Sequence, residues 1–338
     1  MTRAVVVTGA GGVGKTTVSA ALGVSAARAG QRTLVLTVDP ARRLSTALGI
    51  AITNDPQPHP DEPNLWAAML DAEASWQEVV RRHADPDVAE RLVDNEFFAA
   101  ATSHFPASQS YAAAEEAATY LDARAWDLII VDTPPAAGGI DFFRAPAQMT
   151  DLVGGRLLRW LTGARLPGRR FIFNRTAKPM LRLADQVLGS HLLERIAEFF
   201  MDLRTTYDGV SKRARQIERY MRKATTLIVT TTDPAPLQEA VKFFKALPEV
   251  ASPPAGVIFN RSLPVGWIGA EAGDNDPVLV NNLERWGAEA HRQRVARREM
   301  GERHDTPIAT IAWQPQPPTD LDSLEALIRG AESLPKLW

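Results

Sequence analysis

The chain has 338 residues, 45% of them apolar, and a formal net charge of −2. That size supports one large core or two modest ones, and the near-neutral charge excludes a general nucleic-acid binder, which needs a basic surface. With no cysteine in the chain, disulfides, thiolate-bound zinc, iron–sulfur ligation and thiolate capture of arsenite are all excluded.

The first predicted strand, residues 4–8, runs into Gly9-Ala10-Gly11-Gly12-Val13-Gly14-Lys15-Thr16, a complete G-x-x-x-x-G-K-[ST] phosphate-binding loop. A helical run over 17–29 follows, with Gly30 placed to end it. Between strand and helix, glycines let the backbone wrap a phosphate chain, so that amide N–H groups and the helix N-terminus point at anionic oxygens. Gly11, Gly12, Val13, Gly14, Lys15, Thr16 and Thr17 are therefore the predicted nucleotide-binding residues. Lys15 is expected to reach the β- and γ-phosphates and to act in catalysis, and the Thr16 hydroxyl to ligate Mg²⁺. Met1-Thr2-Arg3 leads straight into this strand, so no leader is expected. No window approaches the roughly 20 apolar residues that span a bilayer, and the expected location is the cytoplasm.

The second predicted strand, 33–38, ends at Asp39, followed by Pro40-Ala41-Arg42-Arg43. Asp39 leaves the sheet at its carboxyl edge, where open α/β sheets place their ligands. It is the candidate for holding the attacking water, a role compatible with its also capping a helix that starts near Pro40. Residues 54–64 carry Pro56, Pro58, Pro60 and Pro63 and read as a loop, before a strand at 65–70. Residues 72–125 read as mostly helical.

A strand at 127–132 ends in Asp132, beside the phosphate loop, and Asp132 is the expected Mg²⁺ partner. The small residues from Thr133 to Gly139 suit a moving γ-phosphate sensor. A second helical stretch covers 149–223. Within it, 156–182 holds Arg156, Arg159, Arg165, Arg169, Arg170, Arg175, Lys178 and Arg182 with no acidic residue. This reads either as a solvated face with a loop or as a surface for an anionic membrane or a client protein.

Strands follow at 226–231, 255–259 and 308–312. Asn260, just after the sixth of the seven predicted strands, offers a paired donor and acceptor that match an adenine edge, although a plain strand-end cap has the same pattern. The guanine-reading N-K-x-D run is absent here, where the chain has Asn260-Arg261-Ser262-Leu263, so ATP is preferred over GTP. Trp313 to Pro317 either walls the base or is a proline-rich turn. Most strands are continuous apolar runs, which favours a parallel sheet buried on both faces. The predicted fold is α/β: one domain over 1–338 with a mostly parallel central sheet flanked by helices. A helical subdomain is built from two insertions, about 72–125 and 149–223.

Gly9 to Thr17, Val38-Asp39-Pro40-Ala41, Val131-Asp132-Thr133-Pro134-Pro135 and Phe259-Asn260-Arg261, in this order, resemble the arsenite-pump ATPase family. That family includes the chaperone ATPases that deliver tail-anchored proteins to membranes, and the chain looks closest to its single-domain actinobacterial members. The resemblance covers nearly the whole chain. It implies a deviant-Walker P-loop ATPase that uses ATP and Mg²⁺ and works as a dimer with nucleotides facing each other. It also implies that Asp39 positions the hydrolytic water, Asp132 serves Mg²⁺ and Asn260 reads adenine.

Three departures stand out. The family's loop usually carries a lysine where this chain has Ala10, and that lysine crosses to the partner's nucleotide. Its absence leads to the expectation of either a homodimer, with Arg42 or Arg43 substituting, or a heterodimer with a lysine-bearing paralogue. No C-x-x-C is present to bridge a dimer through zinc. Asp132-Thr133 is followed by Pro-Pro-Ala-Ala-Gly-Gly instead of the usual P-T-G-H run. The leading expectation is a Mg²⁺-dependent ATP-hydrolysing switch that couples nucleotide state to a client or partner. The alternatives are the energising subunit of an anion exporter and a non-hydrolysing nucleotide-binding partner of a paralogue. A peripheral membrane contact stays open through 156–182.

Overall fold

The computed structural model describes residues 2–38, 43–104, 108–133, 137–154, 192–271 and 277–334. The chain forms two compact units, one of Met1–Leu70, Ala117–Phe143 and Tyr220–Trp338, the other of Asp71–Glu116 and Arg144–Arg219. The basic segment 156–182 and Asp39 both lie outside the described residues.

The first unit is built on eight strands: β1 (Arg3–Thr8), β2 (Thr33–Thr37), β3 (Gln57–His59), β4 (Glu62–Met69), β5 (Leu128–Asp132), β6 (Thr225–Thr230), β7 (Gly256–Ser262) and β8 (Ile308–Ala312). Their order in the sheet is β3-β4-β2-β5-β1-β6-β7-β8. Every pairing is parallel except that of β3 with β4. Strands such as Thr33-Leu34-Val35-Leu36-Thr37 and Leu128-Ile129-Ile130-Val131-Asp132 are buried at every position, as expected when helices cover both faces.

The 54–64 stretch is not all loop. Gln57–His59 forms the antiparallel edge strand, and β4 begins at Glu62, three residues earlier than the prolines suggested. Proline lacks an N–H for the ladder, but an edge strand has one side that needs none. The pairing also shifts register between Pro58 and His59, so the prolines are accommodated where the ladder is already interrupted.

Helix α1 (Lys15–Arg28) packs on the sheet as an alanine-rich rod, with Val18, Leu22 and Val24 in the core beside Val35, Leu65 and Ile130. The same core takes in Leu44 and Leu48 of α2 (Arg43–Leu48). Arg28 at the end of α1 pairs with Asp322 at 2.6 Å. That residue lies on the last helix of the first unit (Leu321–Arg329), which starts on an Asp320 capping box.

The second unit is helical. It contains α3 (Ala72–His83), α4 (Pro86–Val93), α5 (Glu96–His104), most of α6 (Ser108–Ala123), the latter part of α7 (Ala137–Gly154), α8 (Leu192–Leu203) and most of α9 (Tyr207–Lys223). Asp71 caps α3 by accepting from the N–H groups of Glu73 and Ala74. Trp76 stacks on Tyr111 with centroids 5.2 Å apart. Beside them Glu115, 3% exposed, is held by Arg213 at 2.8 Å and by Arg82 at 2.9 Å. A carboxylate this deep requires such partners, because an unpaired buried charge is far costlier than a paired one. The first unit is completed by α10 (Pro234–Val250), α11 (Pro277–His304) and α12 (Leu321–Arg329). Among the described residues no helix is long and apolar enough to cross a membrane.

Candidate functional site

The site lies at the carboxyl edge of the first unit's sheet, where β1 gives way to α1. Gly9 needs to be glycine because a Cβ there would meet the Val229 carbonyl oxygen of β6 at 2.0 Å. Gly9, Gly12 and Gly14 have φ of +147°, +77° and +95°, which wrap the loop into a cradle that L side chains resist. α1 starts on Gly14 with no side-chain cap and no acidic residue in its first turn. Its orphan N–H groups and the positive end of its dipole are therefore available to an anion.

Lys15 is 7% exposed, and its Nζ is folded over the loop, donating to the Gly9 carbonyl at 3.0 Å and the Ala10 carbonyl at 2.9 Å. Its charge is thus held among the loop's own backbone. Thr16 donates its hydroxyl to Asp132 Oδ2 at 2.7 Å, and Thr37 donates to the same oxygen at 3.0 Å. The second bond follows from sheet register, since Thr37 on β2 lies directly beside Asp132 on β5. Asp132 is 1% exposed. This hydroxyl–carboxylate pair is the donor set that a hard cation such as Mg²⁺ prefers, all oxygen and one of them charged.

A cleft of about 530 Å³ opens over the loop, lined among others by Gly12, Gly14, Lys15, Thr16 and Thr17. Arg43, Thr46 and Ala47 of α2 also line it, as do Arg261, Pro317, Pro318 and Thr319. The volume is in the range of small-molecule sites. Asn260 sits against the loop, its Nδ2 donating to the Val13 carbonyl at 2.9 Å and its Oδ1 accepting the Arg261 N–H at 2.9 Å. A carboxamide has two N–H bonds and two lone pairs, so each of these contacts uses half of one end.

The structure brings Gly12, Gly14, Lys15, Thr16 and Thr17 into the cleft and sets Asp132 behind Thr16. Asp39 lies outside the described residues, although Arg43, four residues on, lines the cleft. Gly11 is an exposed turn residue and Val13 is buried beneath the loop. Thr133 turns its hydroxyl back to the Val7 carbonyl at 3.0 Å, while Pro134, Pro135 and Ala136 are outside the described residues. Ala10 is 5% exposed, its methyl packed in the core, so no side chain leaves the loop at that position. Of the stretch from Trp313 to Pro317, Pro317 reaches the cleft, whereas Trp313 is 45% exposed and is not among the lining residues. Sheet register hid Thr37, a strand irregularity places Arg261, which the sequence showed only as the neighbour of Asn260, and Pro318 and Thr319 reach the cleft beyond the end of β8.

A phosphate cradle between a central parallel strand and its helix, backed by an aspartate at the end of the next strand, defines a P-loop nucleotide-binding fold of the doubly wound α/β class. Residues 2–268 match the family model described as anion-transporting ATPase. The chain belongs to that family, as its motifs led us to expect. Over 154 residues, 44% of this chain and 38% of the relative, it is 36% identical to the uncharacterized protein SCO2128 of Streptomyces coelicolor. It is 28% identical over 152 residues to the arsenical pump-driving ATPase of Acidiphilium multivorum, covering 43% of this chain and 26% of that one. It is also 28% identical over 150 residues to the ATPase get3 of Schizosaccharomyces pombe, with 43% and 44% covered. The matched stretch spans less than half the length of each of these relatives.

Proposed function

We propose that this member of an ATPase family binds and hydrolyses ATP with Mg²⁺ and acts as a dimeric switch whose nucleotide state is passed to a client or partner through the helical unit. The observation that supports it most is the joint placement of Lys15 over the loop carbonyls and of Thr16 against Asp132. These are the groups that would meet a phosphate chain and its cation.

In this reading the loop N–H groups and the start of α1 bind the phosphates, and Lys15 exchanges its carbonyl partners for phosphate oxygens. Thr16 and Asp132 would hold Mg²⁺, which supplies charge neutralisation on the β- and γ-phosphate oxygens. Thr37 keeps the Asp132 carboxylate turned towards Thr16. Asn260 reads the adenine edge with the donor and acceptor capacity that its loop contacts leave. Asp39 orients the attacking water; in phosphoryl transfer, positioning is most of what the protein has to supply.

A second reading is favoured by Ala10, whose buried methyl offers no charge to a partner's nucleotide. Such charges are worth about 10³–10⁵-fold where arginine fingers supply them. The chain alone would then bind ATP without fast turnover and complete its site with a lysine-bearing paralogue; in a homodimer, Arg42 or Arg43 would instead substitute for that lysine. The test is calorimetric titration of the full chain with ATP, with and without Mg²⁺, beside Lys15→Ala. Mg²⁺-enhanced binding that Lys15→Ala abolishes is expected; binding indifferent to both would overturn the nucleotide site.

A further inference from the structure

Strand β7 departs from regular pairing at the cleft. Its register with β8 runs evenly from Val257 with Ile308 to Phe259 with Thr310, then jumps to Ser262 with Ala312. β7 thus advances one residue more than β8, a β-bulge, and the extra residue falls at Asn260-Arg261. Arg261 has φ +55°, a left-handed conformation that is rare for a residue with a long side chain. Two bonds fix it: its N–H donates to Asn260 Oδ1 at 2.9 Å, and Trp313 N–H donates to the Ser262 carbonyl at 2.8 Å, where pairing resumes.

Consecutive residues of a regular strand face opposite sides of the sheet. Here the bulge brings both to one place, with Asn260 against the phosphate loop and Arg261 in the cleft lining. Bulges re-aim side chains next to active sites, and backbone strain collects at ligand clamps. Pro317 and Pro318, which also line the cleft, present ring carbons and no N–H. Such a wall suits the flat face of a base and gives nothing to a phosphate. A guanidinium is planar and stacks on aromatic faces.

We propose that Arg261 is a base clamp, its guanidinium plane covering one face of the nucleotide base in the cleft that Pro317 and Pro318 also line. This inference rests on the nucleotide-binding reading above. Stacking tolerates any base, so Arg261 adds affinity while Asn260 carries the choice of adenine.

The test is calorimetric binding of ATP, ADP and inorganic tripolyphosphate to the full chain and to Arg261→Asn and Arg261→Lys. Asparagine tolerates the left-handed backbone, and unchanged melting temperatures verify folding. Arg261→Asn should weaken ATP and ADP alike by about tenfold (about 1.4 kcal/mol) and leave tripolyphosphate binding unchanged. Arg261→Lys, which keeps the charge but not the plane, should show the same loss. Full affinity in Arg261→Lys, or parallel loss of tripolyphosphate binding, would assign Arg261 to the phosphates and overturn the clamp. Equal ATP binding by wild type and Arg261→Asn would overturn the clamp alone. Failure of the wild type to bind either ATP or tripolyphosphate would overturn the nucleotide reading and the clamp with it.

Discussion

Asn260 rests directly on Gly14: a Cβ added to that glycine would lie 2.3 Å from Asn260 Nδ2. The contact joins the end of β7 to the start of α1, so the residue expected to read the base is seated on the loop expected to hold the phosphates. Gly14 has φ +95°, which costs a residue with a Cβ roughly 1–2 kcal/mol. Gly14→Ala should therefore lower the melting temperature and, by pushing Asn260 off the loop, weaken ATP binding at least about tenfold. At Gly12, also left-handed, a Cβ would meet nothing within 4 Å. Gly12→Ala carries the backbone cost without displacing Asn260, and a Gly14→Ala loss no larger than that of Gly12→Ala would contradict the seating role of Asn260.

Thr37 and Thr16 share one oxygen of Asp132. Hydrogen bonds to charged groups contribute about 1.5–3 kcal/mol. Thr37→Val should lower stability by that order and raise the Mg²⁺ concentration needed for half-maximal turnover, and Thr37→Ser should restore both. A Mg²⁺ titration unchanged in Thr37→Val would remove Thr37 from the account.

In the helical unit, Glu115→Ala removes the carboxylate that pairs with the buried Arg213 and with Arg82, which also reaches Glu78 at 3.2 Å. Removing one partner from a buried ion pair costs about 3–5 kcal/mol. Urea unfolding should show that loss, and adding Arg213→Met should recover part of it. A Glu115→Ala protein as stable as wild type would show that the cluster carries little of the unit's stability.

Burial lowers the pKa of His83 below the ordinary histidine value, and the nearby Arg82 and Arg213 lower it further. Its Nε2 is buried without a hydrogen-bond partner among the described residues, so a proton there would have no acceptor. The unfolded chain binds that proton more readily than the folded one, hence stability rises with pH across this window. The contribution of His83 is complete above the unfolded value of about 6.5 and is lost as pH falls below it towards the depressed folded value. Melting temperatures from pH 7.5 to 5 should fall more steeply in wild type than in His83→Gln. Parallel curves would exclude His83 as the source.

Local chemistry made part of this molecule legible and long-range register hid the rest. Gly9 to Thr16 announces its own backbone, because glycine spacing, lysine and hydroxyl all belong to one turn. Asp132 was readable as the polar end of an apolar strand. Thr37 was not, since it meets Asp132 through a strand pairing that joins residues 95 positions apart. The β3 edge was hidden by prolines that argue for a loop everywhere except where a ladder has a spare side. Arg261 was visible only as the neighbour of Asn260, because one extra residue in a strand leaves no mark in composition or periodicity. Pro317 lay in the stretch read as either a wall for the base or a turn, whereas Pro318 and Thr319 reach the cleft by following β8 past its end.

Lys15, Thr16 and Asp132 are proposed to form a working ATP site in a chain whose loop has alanine at position 10. The most direct test is Mg²⁺-dependent ATP turnover by the purified full chain over a range of protein concentrations, beside Lys15→Ala and Asp39→Asn. Turnover per chain should rise with protein concentration, as a dimeric switch requires, and vanish in both variants. Turnover that is the same per chain at every concentration, or that survives Lys15→Ala, would contradict the account.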